Sequence, residues 1–148
     1  MQINNCHNID DFRKMAKSRI PAPLFHYIDG GADDESTLRR NTSAYDEYDL
    51  VPNGLADVAN IDLSATILGQ KVGSPLFLAP TGMNRLFHHH GERATSRAAE
   101  KYGCYYSLST LSSVSIEEIG ALTSTPKMFQ IYIHKDRGLT YEFIERCK

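Results

Sequence analysis

From Pro75 onward the sequence alternates short apolar runs with helix-patterned ones, and this alternation limits the possible folds more than any other feature. Leu76-Phe77-Leu78-Ala79 is a continuous apolar run. Residues 92–102, with Ala94 and Ala98 one turn apart and Gly103 behind them, have helical spacing. The pattern then repeats. Residues 104–109 read as a strand, and Ser115-Ile116-Glu117-Glu118-Ile119 as a helix start in which Ser115 caps and Glu118 completes a capping box. Residues 128–133 and 139–147 make the third pair. Strand starts fall roughly 23 to 29 residues apart, which is the length of a crossover through one helix and implies parallel pairing. The segment predicts three βα units of an α/β fold.

The residues before Pro75 divide in two. Residues 1–45 form a helical lead-in. Asn8 can cap a helix in which Ile9, Phe12, Met15 and Ala16 share a buried face. Pro21 and Pro23 separate it from a second helix carrying Leu24, Phe25 and Ile28, which Gly30-Gly31 ends with a left-handed turn. A third helix is expected over about 33–41, its acids Asp33, Asp34 and Glu35 at the start and its bases Arg39 and Arg40 at the end. Residues 46–73 read as a loop with a turn at Pro52-Asn53-Gly54, followed by a hairpin whose strands, 65–68 and 71–72, meet about Gly69-Gln70. Residues 74–148 hold the three βα units. Three such units leave a parallel sheet with two bare edges, whereas an eight-unit barrel takes about 250 residues. The 148 residues therefore read as the first part of one larger domain.

Composition excludes several function classes. With 16 Lys and Arg against 18 Asp and Glu, and no long block of like charge, the chain is no dedicated nucleic-acid or anionic-membrane binder. Apolar runs of a few residues fall far short of the ~20 that span a bilayer. Met1-Gln2-Ile3-Asn4-Asn5 has neither the basic nor the apolar region of a signal peptide. Cys6, Cys104 and Cys147 are widely spaced and odd in number, as thiols of a reducing compartment would be, so the expected location is cytoplasmic. His88-His89-His90 is read as a solvated loop, since three consecutive histidines of a regular element cannot all face one ion; no metal is expected.

Polar side chains at the C-terminal ends of buried parallel strands are candidates for a site. The first strand runs out into Ala79-Pro80-Thr81-Gly82-Met83, the second carries Ser107 and Ser109, and the third Gln130 and Tyr132. Each i, i+2 pair shares a face. Phe129, Ile131 and Ile133 occupy the opposite face of the third strand, where helices pack. Thr81, Ser109, Gln130 and Tyr132 should then converge at one mouth. Neutral donors and acceptors of this kind suit the edge of a planar polar ring.

These residues carry a family resemblance. Leu24-Phe25-His26-Tyr27-Ile28-Asp29-Gly30-Gly31-Ala32-Asp33-Asp34-Glu35 and Thr37-Leu38-Arg39-Arg40-Asn41 resemble the N-terminal signature of the FMN-dependent α-hydroxy acid dehydrogenases and oxidases. Ala79-Pro80-Thr81-Gly82, Leu108-Ser109-Thr110 and Phe129-Gln130-Ile131-Tyr132 follow in that family's order, most similar to bacterial L-lactate and mandelate dehydrogenases. The resemblance implies a TIM (β/α)8 barrel, incomplete in this chain, and FMN as cofactor. It assigns Tyr27 to the substrate carboxylate and Tyr132 to the reacting hydroxyl as a catalytic and substrate-binding group. Backbone at Ala79, Pro80, Thr81 and Gly82 would meet the flavin ring, with Ser109 and Gln130 bonding it through their side chains.

The implied reaction is oxidation of a small 2-hydroxy acid to the 2-oxo acid, a base taking the hydroxyl proton while hydride passes to the flavin. Gly82 stands where many of the oxidases carry alanine, which favours a quinone or cytochrome acceptor over O2. Leu111 replaces the tryptophan of plant glycolate oxidases, so the pocket should accept more than glycolate. The family's Ser-Asn-His-Gly-Gly-Arg segment, its lysine near the flavin and its phosphate-gripping loops are not among these 148 residues. The chain alone is expected to be inactive and to hold FMN poorly, and a non-catalytic, truncated barrel with a structural or weak flavin-binding role is the competing reading. The resemblance further implies a homotetramer at full length and, for bacterial members, attachment to the inner face of the cytoplasmic membrane.

Overall fold

The computed structural model describes residues 2–148, which form two compact units divided between Val58 and Ala59. In the first, α1 (Ile9–Arg19) is capped by Asn8, whose side chain accepts from the Asp11 N–H at 2.9 Å. α2 (Ala22–Asp29) follows Pro21. The guanidinium of Arg13 grips both oxygens of Asp29, at 2.5 and 3.0 Å, and its hydrogen bond holds the Asp29 carboxyl below its ordinary value. This fork joins two helices whose apolar contact is small. The expected buried face of α1 is in fact open, with Ile9 84% exposed; of the apolar side chains in these first helices only Phe25 is buried.

Gly30-Gly31 does not make a left-handed turn. Gly30 is extended (φ −81°, ψ 155°), and the left-handed residues come later, at Asp33 and Glu35. What the glycines supply is room: a Cβ would lie 3.0 Å from the His26 carbonyl oxygen at Gly30 and 3.0 Å from Leu38 Cβ at Gly31. The left-handed Glu35 also delays the next helix, so α3 is Ser36–Ser43 and the three acids precede it. Glu35 Oε1 accepts from the Gly31 N–H, closing the glycine turn from the far side. A 3₁₀ turn, Ala44–Glu47, ends this stretch.

The second unit opens with a hairpin of β1 (Ala65–Ile67) and β2 (Gln70–Val72), paired antiparallel. Its turn is Leu68-Gly69, one residue earlier than the glycine alone indicates, and both residues have positive φ (50° and 77°). That is the conformation a two-residue hairpin favours, but with leucine in a place that suits asparagine.

β3 (Phe77–Leu78), β4 (Tyr105–Ser109) and β5 (Lys127–Gln130) form a parallel sheet in the order β3-β4-β5. Between them lie α4 (Glu92–Lys101) and α5 (Ile116–Leu122), and α6 (Arg137–Arg146) follows β5. These are three βα units, as the spacing predicts. β4 is buried at every residue, as a central strand must be. Its Tyr106 and Leu108 pack with Ala99, Cys104, Val114 and Ile119, while Tyr105, Ser107 and Ser109 take the other face. Phe129 of β5 joins this core and meets the Phe143 ring of α6 at 5.7 Å.

Two details correct the helix readings. α4 turns a largely polar stripe inward, Glu92, Ser96 and Ala99, and leaves exposed Ala94, one of the two alanines whose spacing marks the helix. Ser115 caps α5 by accepting from the Glu118 N–H at 3.2 Å, yet the Glu118 carboxylate is drawn to Arg93 of α4 instead of closing a capping box. At the same end of α5, Arg146 forks onto Glu117 at 2.6 and 3.0 Å and depresses its carboxyl to about 2.

Leu68→Asn should raise chain stability by about 1 kcal/mol, because asparagine tolerates the left-handed region that leucine enters at a cost. Urea denaturation of the two proteins checks this: an unchanged or lower midpoint would show that leucine is not strained there.

Candidate functional site

The β4–β5 ladder ends at the pair Ser109–Gln130, and β3 reaches β4 at the pair Leu78–Tyr106. β4 and β5 therefore leave the sheet together, three residues beyond the last pair of β3, and the segment after β3 runs on to meet their ends at Gly82. Ser109 Oγ lies 3.4 Å from Gln130 Oε1, which also accepts the Thr110 N–H at 3.2 Å. The Thr110 hydroxyl donates to the Gln130 carbonyl at 2.5 Å. The Leu111 N–H donates to Ser109 Oγ at 3.1 Å, and the Met83 N–H to the Leu111 carbonyl at 2.8 Å. A Cβ on Gly82 would stand 3.0 Å from Leu111 Cβ and 3.6 Å from Ser109 Oγ.

The structure thus gathers Gly82, Ser109 and Gln130 into one neutral cluster. Two expected members are placed differently. Thr81 turns its hydroxyl to Asn84 Oδ1, 3.0 Å away in its own loop. Tyr132 is not a strand residue: the ladder has no partner beyond Ser109, so β5 stops at Gln130 and the apolar alternation through Ile131 and Ile133 continues outside the sheet. Tyr132 is 54% exposed and its N–H donates to Thr110 Oγ1 at 3.2 Å, so the residue that braces Gln130 also tethers the tyrosine. Ala79 and Pro80 are exposed immediately after β3. Tyr27, on α2 of the first unit, is 62% exposed.

One residue of this region went unread in the sequence. Glu92, the first residue of α4, is 0% exposed and forms no ion pair among the described residues. Its Oε1 accepts from the Asn84 N–H at 3.2 Å, the Ser113 N–H at 2.9 Å and the Ser113 hydroxyl at 3.0 Å; Oε2 takes the same hydroxyl at 2.8 Å. Burial pushes its carboxyl up, but the hydrogen bonds from Ser113, from its own N–H and from Asn84 outweigh this and hold it below its ordinary value. The helix N-terminus favours the same charge. Gly91 makes the approach possible, with φ 50° and space for a Cβ only 2.5 Å from Arg85 Cγ. The readable signal was the spacing of Glu92, Ser96 and Ala99, a single face with an acid at the helix start. The histidines at 88–90 stack in the loop before this helix, ring centroids 3.9 to 5.4 Å apart, and all three are exposed.

The pattern of the FMN-dependent dehydrogenases matches residues 16–148. The chain belongs to this family. It is 38% identical, over all 148 residues, to a peroxisomal (S)-2-hydroxy-acid oxidase of Oryza sativa subsp. indica, covering 40% of that protein. An L-lactate dehydrogenase of Vibrio parahaemolyticus is 41% identical over 138 residues, 93% of this chain and 36% of the relative. Among solved structures, a lactate oxidase of Pediococcus acidilactici superposes with a TM-score of 0.90 at 33% identity, over 97% of this chain and 40% of the other. The chain thus spans about two fifths of the length of these relatives, and its sheet is the first three βα units of an incomplete TIM barrel.

FMN is the family's cofactor. The chemistry of the cluster suits the ring of such a flavin: it is uncharged and offers both a hydroxyl and an amide, beside a glycine whose missing Cβ would crowd Leu111. Ser107, two residues below Ser109 on the same face of β4, is 2% exposed and its hydroxyl has no partner among the described residues. A buried hydroxyl of that kind marks an inner face meant for further polar company.

Because the folded-state value of Glu92 lies below the ordinary 4.5, the stability it contributes is complete above that pH and is lost as pH falls through the lower value. Glu92→Gln should therefore cost about 1 kcal/mol at neutral pH, with the deficit shrinking in acid. Denaturation of both proteins from pH 7 to pH 3 tests this, and a pH-independent difference would remove the charge from the account.

Proposed function

We propose that this chain supplies the flavin-facing edge and the two substrate tyrosines of an enzyme that oxidises small L-2-hydroxy acids to 2-oxo acids. The observation that carries the reading is the Gly82–Ser109–Gln130 cluster, held at the ends of adjacent parallel strands by bonds to Thr110 and Leu111. Its relatives named for lactate and for (S)-2-hydroxy acids supply the substrate class.

When bound, FMN would supply the two-electron acceptor that no side chain offers. The protein's part is binding and orientation. Ser109 and Gln130 would hold the polar edge of the ring, and backbone at Ala79, Pro80, Thr81 and Gly82 would lie against it. Tyr27 would donate to the substrate carboxylate, which a phenol can do without the desolvation cost of a buried lysine. Tyr132, tethered through Thr110, would stand beside the reacting hydroxyl. The proton-abstracting base and the phosphate grip belong to residues outside these 148. Leu111, half exposed at the rim, would form an apolar wall for a side chain larger than hydrogen. With Gly82 in place of alanine, we assign the electrons to a quinone or cytochrome. A homotetramer, cytoplasmic or peripheral on the inner membrane face, completes the reading; no helix among the described residues is long and apolar enough to cross a membrane.

The full-length protein should be yellow and bleach anaerobically with L-lactate, reoxidising faster with a quinone analogue than with O2. A colourless protein with no affinity for added FMN would sink the proposal. Ser109→Ala should weaken FMN binding about tenfold, the loss of one hydrogen bond at a buried position. Tyr27→Phe should raise KM for L-lactate about tenfold with kcat little changed, and an unaltered KM would remove Tyr27 from the carboxylate.

A further inference from the structure

The first two βα loops of the sheet are laced together more tightly than loops need be. Met83 N–H reaches the Leu111 carbonyl at 2.8 Å, and Arg85 N–H reaches Ser113 Oγ at 3.1 Å. Behind both contacts sits Glu92, whose carboxylate collects the Asn84 N–H from one loop and the Ser113 N–H and hydroxyl from the other. A bare carboxylate is an expensive way to fill such a place, and an apolar side chain of similar volume would pack there without the desolvation cost. An apolar side chain could not, however, join two backbones at fixed points. We propose that Glu92 is a positioning residue, a buried clasp that holds the loop after β3 against the loop after β4 and so fixes the contact between Gly82 and Leu111.

The consequence for function rests on the flavin reading of the Gly82–Ser109–Gln130 cluster. Gly82 and Leu111 meet at the limit of close packing, with 3.0 Å between the Cβ that Gly82 lacks and Leu111 Cβ. Leu111 is tied back to Ser109 through its N–H. A shift of either loop therefore moves the apolar wall relative to the cluster that would hold the ring. Release of the clasp leaves the Asn84 and Ser113 donors without their acceptor, and the 80–87 and 110–115 loops part. The wall then recedes from the ring, and the room available to the substrate side chain grows. Glu92 touches neither ring nor substrate in this account; it acts through Gly82 and Leu111.

The test uses the full-length protein and three variants: Glu92→Ala, Glu92→Gln and Ser113→Ala. The readouts are kcat/KM for L-lactate and for (S)-mandelate, both per bound FMN, and the visible flavin spectrum. Glu92→Ala and Ser113→Ala should shift the lactate-to-mandelate ratio by about fivefold or more towards the bulkier acid, since ångström displacements near reacting groups carry effects of that size or larger. Both should also displace the flavin absorption bands. Glu92→Gln, whose amide oxygen can accept both N–H groups, should keep the wild-type ratio. If Glu92→Ala does not fold, Ser113→Ala decides alone. A lowered melting temperature with ratio and spectrum unchanged in the folded variants would reduce Glu92 to a structural role and overturn the proposal. Wild-type protein that binds no FMN would instead overturn the flavin reading and this inference with it.

Discussion

The arrangement depends on where one ladder stops. β4 lies between β3 and β5 in parallel register, and its last pair, Ser109 with Gln130, is also the last on that side of the sheet. Beyond it the backbone N–H and carbonyl groups have no strand to bond, so side chains and loop atoms must take over. Thr110 does so by bonding the Gln130 carbonyl, Gln130 by accepting the Thr110 N–H, and Ser109 by accepting the Leu111 N–H. The polar groups that a ring-shaped ligand would meet are therefore the same groups that terminate the sheet. Their positions are set by main-chain pairing, which is stiffer than any surface side chain.

The division of labour between the faces of β4 follows from the same register. Tyr106 and Leu108 face the helices and bury the core with Ala99, Val114 and Ile119, and Tyr105, Ser107 and Ser109 are left for the opposite face. Hydrophobic burial thus holds the strand from behind while its front stays polar. Replacing Ser109 by alanine removes two hydrogen bonds, to Gln130 and from Leu111, without touching the core. Replacing Ile119 by alanine would cost about 2–5 kcal/mol in cavity and transfer energy without touching the rim.

The βα units, their parallel order and the convergence of Ser109 with Gln130 were legible in the sequence, because buried strands are short apolar runs and polar residues stand out at their ends. Apolar alternation through Ile133 reads Tyr132 as a strand residue, and alternation cannot tell where a partner strand ends. Gly30-Gly31 looked like a left-handed stop since glycine is the usual residue there; in the fold the pair makes room for the His26 carbonyl and Leu38 while Asp33 and Glu35 take the positive φ. Leu68 entered the hairpin turn for the opposite reason, a residue with poor turn propensity forced by strand register. Glu92 escaped because a buried carboxylate is indistinguishable, from composition alone, from an acid that merely favours a helix N-terminus.

Charge is distributed in this second unit so that the one fully buried carboxylate is behind the rim and none is part of it. Glu92 is satisfied by N–H and O–H donors from two loops and by the start of α4, with no ion-pair partner among the described residues. The Gly82–Ser109–Gln130 cluster contributes no formal charge. In a site of low dielectric a fixed charge at the rim would hold one redox or protonation state of a bound ring far more tightly than another. A neutral rim instead leaves that bias to groups brought from elsewhere, and its own work is confined to direction and distance. Positional control is what hydrogen bonds between backbone and short side chains do best, which is why the acid is used as a clasp and the serine, glutamine and glycine form the edge.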